Sequence, residues 1–100
     1  MNQAQMMAQV RKMQAEMTKA QDELATTVVS GAAAGLVTVE MTCDLRVKSV
    51  SVKPEAIDPA DPETLEDLLV VAVNDAIAKA QETSNKRMSS VTGGLRIPGL

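Results

Sequence analysis

Between Met6 and Leu24 the apolar side chains fall at Met6, Val10, Met13, Met17, Ala20 and Leu24, an alternating four-three spacing that draws a narrow seam along one side of a helix. A seam that narrow usually meets another helix. In heptad register Val10, Met17 and Leu24 take the first seam position and Met6, Met13 and Ala20 the second, which sends Arg11, Lys12 and Lys19 to the outward b and c positions. A helix over about residues 3–26 would be about 36 Å long at 1.5 Å per residue. A compact chain of 100 residues has a radius of gyration near ~13 Å, so part of this helix is expected to protrude or to meet a second copy. The plainer alternative is that the stripe covers the chain's own sheet.

Composition sharpens the case for a second copy. One hundred residues form a single domain with a modest core, and this one contains no Phe, Tyr or Trp. Its 45% hydrophobic content is Ala, Val, Leu, Met, Ile and one Cys, so each large buried side chain contributes at most about 1.5–3 kcal/mol and aromatic anchors are missing. Burial between two copies would supply the shortfall, and a homodimer is expected. The absence of histidine removes the commonest general base and the commonest metal ligand at neutral pH, so no enzyme, metal site or small-molecule substrate is expected. Cys43 has no second cysteine to pair with and continues the same-face series Val37, Val39, Met41, which reads as a buried packing thiol. No apolar stretch approaches the ~20 residues of a membrane span and no leader pattern opens the chain. A soluble, cytoplasmic protein without a membrane partner is the expectation.

Along the chain, the β-branched stretch at about residues 26–30 reads as a first strand and the small residues 31–35 as a hairpin loop. In a second strand over 36–43, Val37, Val39, Met41 and Cys43 alternate with Thr38, Glu40 and Thr42, giving one dry and one wet face. A third strand over 46–53 carries Val50 and Val52 in phase and Val47 out of phase, the mark of a bulge. Pro54, Pro59 and Pro62 break the pattern, and Asp61 before Pro62 reads as the cap and first position of a second long helix over about 62–92. Leu65, Leu68, Leu69, Ala72, Val73, Ala76, Ile77 and Ala80 form its apolar stripe, and Val70 and Val71 widen it until its first half should be buried on more than one side. Beyond Ala80 the sequence is polar apart from Met88 and is expected to bend, fray or stand out in solvent. Gly93 and Gly94 end the helix, leaving residues 95–100 as a flexible tail behind a single domain over 1–94. The fold class is α+β: helix, three-stranded antiparallel meander, helix.

The meander leading into VKSVSVKPEAIDPADPETLEDLLVVAVNDAIAKAQ (residues 47–81), then MSSVTGGL (88–95) and the closing Ile97-Pro98-Gly99-Leu100, after a Met- and Gln-rich amphipathic helix, resembles the YbaB/EbfC family of bacterial nucleoid-associated proteins over nearly the whole chain. The most specific pieces are Leu65-Glu66-Asp67-Leu68, Ala72-Val73-Asn74-Asp75-Ala76 and Val91-Thr92-Gly93-Gly94. The resemblance implies an α-β-β-β-α protomer with two long helices, a tweezer-like homodimer, and DNA binding with little or modest sequence preference in the nucleoid. It implies no catalysis and no cofactor. The chain departs from the family pattern at the turn Cys43, Asp44 and Leu45, where relatives commonly carry Gly or Asn.

Net charge is −3, yet the charges are sorted: Glu55, Asp58, Asp61, Glu63, Glu66, Asp67 and Asp75 follow one another without a base, whereas Lys79, Lys86, Arg87 and Arg96 later face only Glu82. Local patches, not the total, decide whether a polyanion binds. Asp75 with Lys79 and Glu82 with Lys86 have the favourable i,i+4 order, and Lys12 with Glu16 and Lys19 with Glu23 the weaker reverse order. Arg11 and Arg87 have no acid three or four positions away and offer bidentate phosphate contacts. The candidate DNA contacts are therefore Arg11, Lys12, Lys19, Lys79, Lys86, Arg87 and the tail's Arg96. The candidate dimer or core seam is Met6, Val10, Met13, Met17 and Leu24. The lack of aromatic stacking platforms favours double-stranded over single-stranded nucleic acid. The acids of residues 58–67 read as helix caps and solvated charge. A competing function of a different class is a dimeric adaptor whose Met-rich first helix accepts a partner helix, with no affinity for nucleic acid.

Overall fold

Asn2 starts the first helix. Its side-chain oxygen accepts from the Gln5 amide at 2.8 Å, and the Gln5 side chain accepts in return from the Asn2 amide at 3.2 Å, a reciprocal cap that satisfies two otherwise orphaned donors. The computed structural model describes residues 2–92, of Thr92 the backbone alone. From that cap the chain runs through α1 (Gln3–Leu24), β1 (Val28–Ala33), β2 (Val37–Thr42), β3 (Arg46–Val52), one 3-10 turn (Pro54–Ala56) and α2 (Pro62–Thr92). This is the α-β-β-β-α arrangement expected of the sequence.

The first strand corrects the expected boundaries of about 26–30. Thr26 and Thr27 are not strand: both hydroxyls donate to the Glu23 carbonyl, at 3.1 and 2.7 Å, closing the C-terminus of α1. The strand then runs on through Gly31, Ala32 and Ala33, residues whose small size had suggested a loop. Their size serves packing instead. A Cβ on Gly31 would lie 2.7 Å from the Ala76 Cα and closer still to the Ala76 amide nitrogen and the Ala72 carbonyl oxygen, so α2 rests directly on the backbone of β1. The tight turn falls at Ala34 and Gly35, both at positive φ, with the Leu36 amide bonded to the Ala33 carbonyl at 2.9 Å.

The three strands form one antiparallel sheet in the order β1-β2-β3. Val37, Val39, Met41 and Cys43 all point into the core, where they meet Ala72, Ala76 and Ala80 of α2 and Leu24 of α1. The register sets Val50 opposite Val39 and Val47 opposite Met41, with a shift between Glu40 and Met41 that leaves Lys48 as the extra residue on β3. The bulge that the phase of Val47 predicted is thus present beside it, and it returns Val47 to the apolar face. Since α2 packs on β1 and β2, Val47 and Val50 share that face yet stay 52% and 49% exposed.

Asp61 caps α2, bonding the Thr64 amide at 3.3 Å and the Thr64 hydroxyl at 2.6 Å, and Pro62 occupies the first helical position. Two features of α2 depart from expectation. Its first half is not covered on every side: Val70 and Val71 remain 59% and 55% exposed, because within one chain only the Ala72–Ala76–Ala80 side meets the sheet. Its second half neither frays nor stands free. It remains helical to Thr92, Val91 is buried, Met88 packs on the core, and the Ser84 hydroxyl donates to the Cys43 carbonyl at 3.2 Å. The partner that holds it is the C-terminal half of α1, which the local polarity of residues 81–90 could not reveal. The resulting molecule measures 70 × 26 × 16 Å with a radius of gyration of 19.7 Å, well above the ~13 Å of a compact chain of this length.

Candidate nucleic-acid interface

The seam of α1 divides into two halves with different fates. Ala20 and Leu24 are buried and Met13 and Met17 half-buried, whereas every described residue before Arg11, and Arg11 and Lys12 themselves, are exposed. The expected helix partner is therefore found, but for the lower half it is α2 of the same chain, and Leu24 belongs to the core. The upper half projects. Met6, Met7 and Val10 are 56%, 52% and 49% exposed and line an open groove with Gln3, Arg11 and Gln14.

Arg11, Lys12 and Lys19 all lie on exposed positions of α1. The reverse-order pairs Lys12 with Glu16 and Lys19 with Glu23 do not close: among the described residues none of these three cations makes an ion pair. They form the free cationic set of the projecting helix.

The cations of α2 are engaged. Lys79 bonds Asp75 at 3.1 Å and reaches across to the Ser30 carbonyl at 3.1 Å, while Asp75 accepts from the Ala32 amide at 3.0 Å. The amide of Ala32 holds the Asp75 carboxyl below its ordinary pKa, with Lys79 adding to the effect. Together the two side chains cap the outer edge of β1, so Lys79 is a structural tether first. Lys86 pairs with Glu82 at 3.1 Å in the expected i,i+4 geometry, with its side chain 76% exposed. Arg87, with no acid three or four positions away, is paired nonetheless. Its Nε donates to Glu23 at 2.9 Å, across 64 residues of sequence, and its Nη1 donates to the Ser90 hydroxyl at 3.4 Å. The Arg87 hydrogen bond, reinforced by the charges of Arg87 and Lys19, lowers the Glu23 pKa. Arg96 lies outside the described residues.

Other charged side chains and the thiol take structural places. Arg46 is paired with Asp44 at 3.6 Å, and of the acids in 58–67 Asp61 caps α2 while Asp58 accepts from the Ala60 amide at 2.9 Å in the turn ahead of it. Cys43 is a buried free thiol, pushed up in pKa by burial and then by the neighbouring Asp44 charge. Among the described residues no group of acids and thiols is arranged to hold a metal, and no helix is long and apolar enough to cross a membrane.

The described residues thus form a three-stranded sheet backed by one helix, with a second helix leading away from it and bearing cations that make no ion pair. The chain belongs to the YbaB/EbfC DNA-binding family, whose profile matches residues 1–95. Among similar proteins, a nucleoid-associated protein of Chloroflexus aurantiacus is 48% identical over 97 residues, covering 96% of this chain and 97% of that one. One from Roseiflexus sp. (strain RS-1) is 46% identical over 99 residues, covering 99% of both. The crystal structure of an uncharacterized protein from Helicobacter pylori matches with a TM-score of 0.76 at 18% identity, covering 96% of this chain and 99% of that one, and so shares the fold.

Proposed function

We propose that the chain is a non-enzymatic nucleoid-associated protein of the cytoplasm that binds double-stranded DNA as a homodimer, chiefly through phosphate contacts and with little sequence preference, and so contributes to nucleoid organisation or gene regulation. One observation carries this reading beyond family membership: Arg11, Lys12 and Lys19 stand exposed and unpaired on α1, two of them on its projecting half. An unpaired cation on an exposed helix can neutralise a phosphate and release its condensed counterions.

Dimerisation is supported by the apolar surface a single chain leaves open: Val47 and Val50 beside α2, and Val70 and Val71 on it. The sheet adds to this, because the outer edge of β1 is capped by Asp75 and Lys79 while β3 is the other edge strand. A two-fold axis doubles every phosphate contact. Two copies of Arg11 and Lys12 neutralising about four phosphates give a log–log salt slope near ~−3.6, or about a hundredfold loss of affinity from 50 to 200 mM salt. Fluorescence anisotropy with two unrelated duplexes across that range tests it. The expectation is equal affinities, the stated slope, and a much weakened, flatter response in Arg11→Ala/Lys12→Ala. No binding at low salt would refute the proposal and favour an adaptor, a reading that the exposed Met6, Met7 and Val10 groove also accommodates.

A further inference from the structure

The junction of the two helices joins two of the seven candidate contacts, Arg87 and Lys19, to two residues outside that set, Glu23 and Ser90. Arg87 projects from α2 between two partners. On one side its Nε–H meets Glu23 at 2.9 Å, and on the other its Nη1 reaches the Ser90 hydroxyl at 3.4 Å. A guanidinium carries five N–H donors in a rigid fork suited to carboxylate and phosphate alike, so the two described contacts leave most of the fork unused. Lys19, one turn before Glu23 on α1, acts on the same carboxylate from a distance and makes no ion pair of its own among the described residues. Two cations thus face one acid. The pair is also accessible, with side chains 30% and 46% exposed for Arg87 and Glu23.

We propose that this junction is a phosphate site occupied at rest by an internal carboxylate: Glu23 stands where a DNA phosphate oxygen binds, the Arg87 guanidinium, oriented from its other side by Ser90, receives the phosphate, and Lys19 adds charge. The inference rests on the DNA-binding reading and deepens it. Three features of the geometry support it over a plain clamp between helices. The acceptor is a single carboxylate that leaves donors of Arg87 free, the Ser90 hydroxyl accepts from the far side of the fork and fixes its orientation, and a second cation, Lys19, stands one turn away on α1 without an ion pair among the described residues. A structural clamp needs none of the last two. When a phosphate enters, the Arg87–Glu23 bond opens and Glu23 turns to water, so Glu23 subtracts from DNA affinity while it steadies α1 against α2 in the free protein.

The test is duplex binding at low salt by Glu23→Gln, Arg87→Ala, Ser90→Ala, the Glu23→Gln/Arg87→Ala double variant and Glu16→Gln, each accompanied by a thermal melt. Glu16 is a control acid on the same helix without an ion pair among the described residues. An exposed ion pair contributes little, so removing the competitor should tighten binding by no more than about fivefold for each protomer engaged. It should also steepen the log–log salt slope by about 0.9 for each phosphate added. Arg87→Ala and Ser90→Ala should weaken binding, and the double variant should match Arg87→Ala alone. The salt slope keeps the proposal open to refutation even if Glu23→Gln melts early, since a plain loss of fold cannot steepen it. Glu23→Gln binding no tighter than wild type, an equal gain in Glu16→Gln, or a gain that persists without Arg87 would each overturn the inference while leaving the DNA reading intact. Failure of the wild-type protein to bind any duplex would instead remove the reading beneath it.

Discussion

Replacing Gly31 with alanine would put a methyl group where α2 touches the sheet. The added carbon would sit 2.7 Å from the Ala76 Cα and nearer still to the Ala76 nitrogen and Ala72 oxygen, all of them backbone atoms of a helix that cannot swing aside as a side chain does. Relief requires α2 to lift from β1. That movement thins the contacts of Ala72, Ala76 and Ala80 with Val37, Val39 and Met41 and stretches the Asp75 and Lys79 bonds to β1, now 3.0 and 3.1 Å, toward the limit of hydrogen bonding. Overpacking of this kind costs typically 1–3 kcal/mol, and an unyielding backbone places Gly31→Ala near the top, at about 3 kcal/mol. With about 4–8 °C per kcal/mol for a domain of this size, the melting temperature should fall by about 12–24 °C. Circular dichroism melts at matched protein concentration measure it, because self-association would otherwise shift the midpoint. A second substitution sharpens the test: Ala76→Gly in the Gly31→Ala background removes a side chain that is not the obstruction, so it should bring no rescue and add about 1 kcal/mol of helix cost. A Gly31→Ala protein within about 0.5 kcal/mol of wild type would refute the close approach.

Three further outcomes follow from the same geometry. Leu45 holds a positive φ of 65° while 49% exposed, so Leu45→Asn should stabilise the fold by up to about 1 kcal/mol in urea titration by easing left-handed strain with little packing lost. Glu23 and Asp75 have folded pKa values below their ordinary 4.5 and 3.8; their contributions are complete above those values and vanish as pH falls through the lowered ones. Acid melts should therefore lose stability below about pH 4, less so in Glu23→Gln and Asp75→Asn. Cys43 is buried with a raised pKa, so iodoacetamide at pH 8 should alkylate it slowly until urea unfolds the chain.

What the sequence disclosed and what it withheld divide by the distance over which each interaction acts. The dry face of Val37, Val39 and Met41, the cap at Asp61 and Pro62, and the bulge at Val47 are settled by neighbours a few residues apart, and each could be read from spacing. Gly31 looked like a loop because only α2, forty-odd residues later, requires its missing side chain. Arg87 looked unpaired because its acid lies 64 residues away, and the polar stretch after Ala80 looked solvent-bound because its cover is α1. The three cations of α1 were legible as outward-facing from the heptad alone, and stand exposed. The DNA reading came from whole-chain resemblance, since no local motif here reads a base.

The central claim is that DNA meets the projecting half of α1. A nitrogen–proton NMR titration of the wild-type protein with a short duplex of arbitrary sequence at low salt tests it residue by residue. Progressive shifts at Arg11, Lys12 and their neighbours are expected, with the acid-rich segment 58–67 unmoved. Shifts confined to that segment or to the sheet, with α1 silent, would contradict it.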